Sequence, residues 1–203
     1  MLFGIDTSHY ESNVNWNVVK NQCQFAFTKA SEGLAQKDLL FDKYWAEMKA
    51  AGLIRGCYHF FHPNLDPEMQ ARFFLSIIGA LRPGDLPPVL DFETEIKGFK
   101  TSDYIDSALS WLHTVEDAIQ ITPIIYGSPG VLSDLGGNSL FKKYPLWVAE
   151  YGVQAPKIPK PWTDYSFWQF SEEGTCEGVP QKCDVNYFNG ALNELKALSR
   201  LAQ

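Results

Sequence analysis

The sequence predicts an α/β fold, a TIM-like (β/α) barrel that runs short of helices in its second half. Two observations predict it. Short β-rich runs repeatedly precede longer segments with helical spacing, the alternation that builds a parallel sheet with crossover helices. Across residues 126–169 the pattern changes: Gly, Pro and aromatic residues are dense, and helical spacing between the strands is short or missing. At 203 residues the chain also stands at the lower limit for such a barrel, which leaves one core and a single domain, residues 1–203.

Each element follows from its local pattern. Strands are predicted over 2–6, 25–30, 56–61, 89–93, 123–126, 146–149 and 167–170, with 185–188 as an eighth candidate. The clearest helix covers 102–119, where Ile105, Ala108, Leu109, Leu112, Val115 and Ile119 recur at three-to-four-residue spacing and the other face is polar. Residues 37–51 also read as a helix. So do residues 67–81, which open with Pro67 and Glu68 in the first turn and close before Pro83 and Gly84. A terminal helix is expected over 189–201.

Composition excludes several classes. Hydrophobic residues make up 45% and charged residues 20%, values of an ordinary folded domain. The net charge is -7 and Lys and Arg are scattered, so no basic patch suits a phosphate backbone and no nucleic acid partner is expected. Apolar runs are strand-sized, well short of the roughly 20 residues of a membrane span. No export signal precedes the first strand, which suits a cytoplasmically made protein and a mature secreted domain equally. A monomer is expected.

The four cysteines lack metal spacing, and neither a metal site nor a cofactor is expected. Cys176 and Cys183 are spaced to close a tight hairpin by a disulfide, while Cys23 and Cys57 read equally as buried hydrophobes; one bridge at most is expected. There is no G-x-S-x-G elbow and no phosphate-cradling loop, since Gly136-Gly137 lacks the required pattern.

Asp91 and Glu93 are the most informative residues. Side chains two apart on a strand share a face, so the run Leu86-Pro-Pro-Val-Leu-Asp-Phe-Glu93 presents two carboxylates together. Buried side by side, their proton affinities must diverge, and one becomes a usable general acid. The competing reading is a strand running out into a solvated acidic loop. Asp6 at the end of the first strand and Asp184 beside the eighth extend the set, because functional residues of barrels gather at the carboxyl ends of strands; taken alone, Asp6 also reads as a turn residue.

Aromatics fall at the same edges: Tyr58, Phe60, Tyr126, Trp147, Tyr151 and the Phe167-Trp168-Gln169-Phe170 run. Flat rings beside acids complement a sugar, with its apolar C–H faces and hydroxyl rim, although most aromatics of any such chain are core. His59 points away from the face shared by Tyr58 and Phe60 and reads as structural.

Along nearly its whole length the chain resembles the glycoside hydrolase family 25 muramidases, the Chalaropsis-type lysozymes. The matching motifs appear in the family's order: Gly4-Ile-Asp-Thr-Ser8, Val14-Asn-Trp16, Phe27-Thr-Lys-Ala-Ser-Glu-Gly33, Gly56-Cys-Tyr-His-Phe60, Leu90-Asp-Phe-Glu93, Leu146-Trp-Val-Ala149, Phe167-Trp-Gln-Phe-Ser171 and Asp184-Val-Asn-Tyr-Phe188.

The resemblance implies an incomplete β/α barrel that hydrolyses the β-1,4 bond between N-acetylmuramic acid and N-acetylglucosamine in peptidoglycan. It implies Glu93 as general acid, and Asp91, Asp6 and Asp184 as negative companions that hold its proton and stabilise positive charge at the anomeric carbon. By the same analogy Tyr126 and Lys29 hold the N-acetyl group, and Tyr58, Phe60, Trp147, Tyr151 and Gln169 line the groove. The implied partner is the glycan strand of peptidoglycan, met at the cell wall by a secreted enzyme or a phage endolysin. The alternatives are a barrel that binds wall glycans without cutting them and a hydrolase of chitin-like chains.

Overall fold

A computed structural model of the chain describes residues 1–199. Nine strands and six helices follow in order: β1 (Leu2–Thr7), α1 (Trp16–Val19), β2 (Phe25–Glu32), β3 (Gln36–Lys37), α2 (Phe41–Ala51), β4 (Ile54–Phe60), α3 (Pro67–Ile78), β5 (Val89–Asp91), α4 (Thr101–Ile119), β6 (Ile124–Gly127), α5 (Pro129–Leu132), β7 (Leu146–Ala149), β8 (Phe167–Gly174), β9 (Cys183–Phe188) and α6 (Leu192–Leu198). Eight strands close into a barrel in the order β1, β2, β4, β5, β6, β7, β8, β9, with β9 returning to β1; β3 is a two-residue flap on β2. The second half is poor in helices: only α5 and two 3-10 turns join β6 to β7, and no helix joins β7 to β8.

All eight predicted strands are present, and one expectation about them is corrected. The barrel is parallel except at β9, which runs antiparallel to both β8 and β1. The cause is chain length: β8 extends to Gly174 and β9 begins at Cys183, too few intervening residues for a parallel crossover but ample for a hairpin.

Helix ends also moved for identifiable reasons. The helix predicted over 37–51 starts at Phe41, because Lys37 belongs to β3 and the Asp38 carboxylate accepts the Leu40 N–H at 2.9 Å, forming a turn first. It stops where Gly52 adopts φ 83°, a left-handed cap. In α3, Asp66 caps the Met69 N–H at 2.9 Å and Pro67 takes the first turn, as its sequence demands. The terminal helix is shorter than 189–201, and the last two positions of that prediction lie outside the described residues.

The barrel interior is filled by alternate residues of its strands, chiefly Phe25, Phe27, Val89, Ile124, Trp147, Phe167 and Phe188. Phenylalanines of this bulk fit because glycines face them. A Cβ on Gly4 would lie 2.5 Å from the Phe25 ring, and one on Gly56 2.2 Å from Phe27. Leu195 and Leu198 of α6 join this cluster with Leu2 and Ile54, closing one end of the barrel. A second layer, with Trp111, Phe74, Leu112 and Phe92, packs α3 and α4 on the outside. The open end is left for polar groups. No helix among the described residues is long and apolar enough to cross a membrane.

Candidate active site

Strand alternation delivers the acids. β5 ends at Asp91, and Phe92 turns outward, fully buried against Phe61 and Tyr104, so Asp91 and Glu93 both turn inward. Asp6 lies directly across the β1–β9 ladder from Asp184. Because β9 runs the opposite way, its first residues reach the mouth that the other strands reach with their last.

The four carboxyls share one small cavity of about 60 Å³ with Tyr58, Tyr126, Trp147 and Gln169. Gln169 is its hub. Its side-chain oxygen accepts from the Tyr126 hydroxyl at 2.7 Å and the Tyr151 hydroxyl at 2.6 Å, and its amide donates to Asp6 Oδ2 at 2.9 Å. Asn186 donates to the same oxygen at 2.7 Å and accepts from the Trp147 indole at 2.8 Å. Two amides therefore fix one carboxylate oxygen of Asp6.

Beside the cavity lies a wider groove of about 680 Å³, walled by Ser128, Gly130, Glu150, Tyr151, Lys157 and Glu172. Glu93 and Tyr126 line both spaces, whereas Asp6, Asp91 and Asp184 line only the cavity. A site of groove size accommodates sugar rings; the cavity does not, and suits a substituent or a few waters.

Lys29 and Phe60 are not on the cavity wall. The Lys29 ammonium pairs with Glu32 at 2.6 Å and sits 4.7 Å from the Phe60 ring centre. His59 is fully buried on the outer side, between Ser31 Oγ at 2.8 Å and Gln70 Oε1 at 3.3 Å; burial pushes its pKa down to about 4, so it is a neutral structural residue.

The family model for glycosyl hydrolases family 25 matches residues 5–179. The chain belongs to that family. It is similar to Lysozyme M1 of Streptomyces globisporus, 34% identical over 207 residues that cover 97% of this chain and 70% of the relative. It is also similar to the N,O-diacetylmuramidase of Chalaropsis sp, 31% identical with 97% and 98% covered. Among solved structures, the bacterial lysozyme from Streptomyces coelicolor superposes with a TM-score of 0.93 at 33% identity, covering 98% of this chain and 96% of the other.

Within this family 25 barrel, burial is the largest influence on all four acids, and it raises each of them. Asp6 is pushed up to about 6, held from going higher by the Asn186 and Gln169 amides. Asp184 is pushed up to about 9, by burial and then by the charge of Asp6. Asp91 is raised well above the usual carboxylate range by burial and by neighbouring Glu93. Glu93 is exposed at the mouth, where the partial desolvation of its carboxyl and then the Asp6 charge raise it, while Lys29 pulls it down. The four acids therefore titrate as a coupled set, in which Asp6 is the member that accepts from two amide donors.

The site residue absent from the sequence reading is Asn186. It stands two residues after Asp184 on β9, so the same alternation that joined Asp91 to Glu93 identifies it. Lys157 of the groove wall lies in a loop with no period, and Glu172, although on β8, lies beyond the register shift between Gln169 and Ser171 that breaks the strand's alternation.

All four cysteines are free and buried, and the sulfurs of Cys23 and Cys176 lie 3.7 Å apart.

Proposed function

We propose that residues 1–203 form one catalytic unit, a muramidase that cleaves the β-1,4 bond between N-acetylmuramic acid and N-acetylglucosamine of peptidoglycan, with Glu93 as general acid. Family membership carries the glycosidase chemistry, and the names of the lysozyme and muramidase relatives support the bond. One observation carries the choice of Glu93. It is the acid common to cavity and groove, so it alone of the four borders both the space for a sugar chain and the cluster that raises its proton affinity. A protonated carboxyl at that junction can deliver its proton to the leaving glycosidic oxygen.

The other groups divide the remaining work. Asp6, locked by Gln169 and Asn186, supplies negative charge that raises the proton affinity of Glu93 and stabilises positive charge developing on the sugar. Asp91 and Asp184 complete the carboxyl set. Tyr58, Tyr126, Trp147, Tyr151 and Gln169 bind the substrate, whereas Lys29 and Phe60 act from the rim. The enzyme works at the cell wall as a monomer on glycan strands.

Replacing Glu93 by Gln removes the transferable proton at nearly constant shape. Release of reducing ends from purified peptidoglycan is expected to fall about 10²- to 10⁴-fold with thermal unfolding nearly unchanged. Release at the wild-type rate would overturn the assignment. Mass spectrometry of wild-type fragments should find muramic acid at the new reducing ends; N-acetylglucosamine there, or cleavage of chitin chains alone, would sink the bond assignment.

A further inference from the structure

The β8–β9 hairpin ends in a tip that docks on α1. Asn15 N donates to Gly178 O at 2.7 Å, and a Cβ on Gly178 would lie 2.8 Å from Asn15 O, so the two backbones touch with no room for a side chain. Three thiols lie inside this contact: Cys23 just after α1, Cys176 on the tip and Cys183 at the start of β9, buried with Trp16, Val19 and Val179. Cys23 and Cys176, 153 positions apart in the chain, have sulfurs 3.7 Å apart. Across the ladder Cys183 faces Gly174, and Cys57 belongs to the separate layer under α3 and α4.

We propose that Cys23 and Cys176 are an oxidisable pair, joined by a disulfide between the hairpin tip and α1 when the protein is exposed to a disulfide oxidant outside the cell. The sulfurs must approach to about 2 Å for the bond. That approach falls on a short turn, closed by Val179 N to Cys176 O at 3.0 Å, whose neighbours Glu177 and Pro180 are exposed.

The chemistry balances as two exchanges. The Cys176 thiolate attacks one sulfur of a small disulfide such as oxidised glutathione, expelling one thiol. The Cys23 thiolate then attacks the Cys176 sulfur of the mixed disulfide and expels the second. The two cysteine protons end on the two released thiols, and the two electrons reduce the oxidant. Cys176 is the attacking member because the hydrogen bond it shares with Cys23 lowers its pKa, whereas that same bond and then burial push Cys23 the other way. The product anchors the far end of the hairpin that carries Glu172 of the groove wall.

The test uses the full chain purified reduced, treated with oxidised glutathione, alkylated and digested without reduction. One linked peptide pair containing Cys23 and Cys176 is expected, with alkyl label on Cys57 and Cys183. The oxidised protein should unfold about 4–10 °C above the reduced one, a difference abolished in Cys176→Ser. A Cys176–Cys183 link, glutathione adducts alone, or four alkylated thiols would overturn the proposal. The peptide map needs no variant, so a poorly folding substitution leaves it decisive.

Discussion

At the scale of single residues, Asp6 and Lys29 act on Glu93 with opposite sign. The negative charge of Asp6 raises the proton affinity of Glu93 and the positive charge of Lys29 lowers it. A general acid works only while protonated, so its pKa sets the alkaline limb of kcat/KM. Asp6→Asn should therefore move that limb to lower pH by roughly 0.5–1 unit, and Lys29→Met should move it to higher pH. Parallel shifts of the two variants, read from pH profiles of peptidoglycan hydrolysis, would show that neither acts through charge on Glu93. The carboxyls were legible in the sequence because each ends or begins an apolar strand, where alternation states which neighbours share a face. Asn186 obeys the same rule but carries no charge to draw notice. The clamp it forms with Gln169 on Asp6 depends on β8, β9 and β1 lying side by side, which no local pattern in the sequence specifies.

Among the elements, β1 and β4 earn their places through glycines. The Phe27 ring occupies the space that a side chain at position 56 would need, and a fully packed barrel has little freedom to move it. Gly56→Ala should cost about 1–3 kcal/mol in urea unfolding. Gly130→Ala in α5, where the nearest atom to a new Cβ is 3.7 Å away, should stay within about 0.5 kcal/mol. Equal effects at both positions would mean that packing inside the barrel is not what excludes the methyl. Strands and long helices were readable because burial imposes a period of two or of three to four on them. The direction of β9 was not, since parallel and antiparallel strands show the same alternation and only the length of the intervening hairpin separates them. The approach of Cys23 to Cys176 was unreadable for a related reason: the two lie 153 positions apart, and only the docking of the folded tip beside α1 brings them together.

For the molecule as a whole, the acid cluster should make stability depend on pH. A carboxyl whose pKa is raised by folding binds more protons in the native chain than in the unfolded one, so stability is lost as pH rises between the two values. For Asp6 that window runs from 3.8 to about 6 and for Asp184 from 3.8 to about 9. Asp184→Asn should flatten the decline. By pH 8 it should be more stable than the wild type by on the order of 1–3 kcal/mol, a margin that shrinks towards pH 4. Urea titrations of both proteins across this range would test it, and a margin constant with pH would rule out ionisation as the source. The antiparallel β9 has one further effect on the molecule. It returns the chain to the closed base, where Phe188 pairs with Leu2 and α6 packs over the same end. Leu2 and Leu198 thus both lie at the pole opposite the acids, so neither the start of the first strand nor the last helix crowds the mouth.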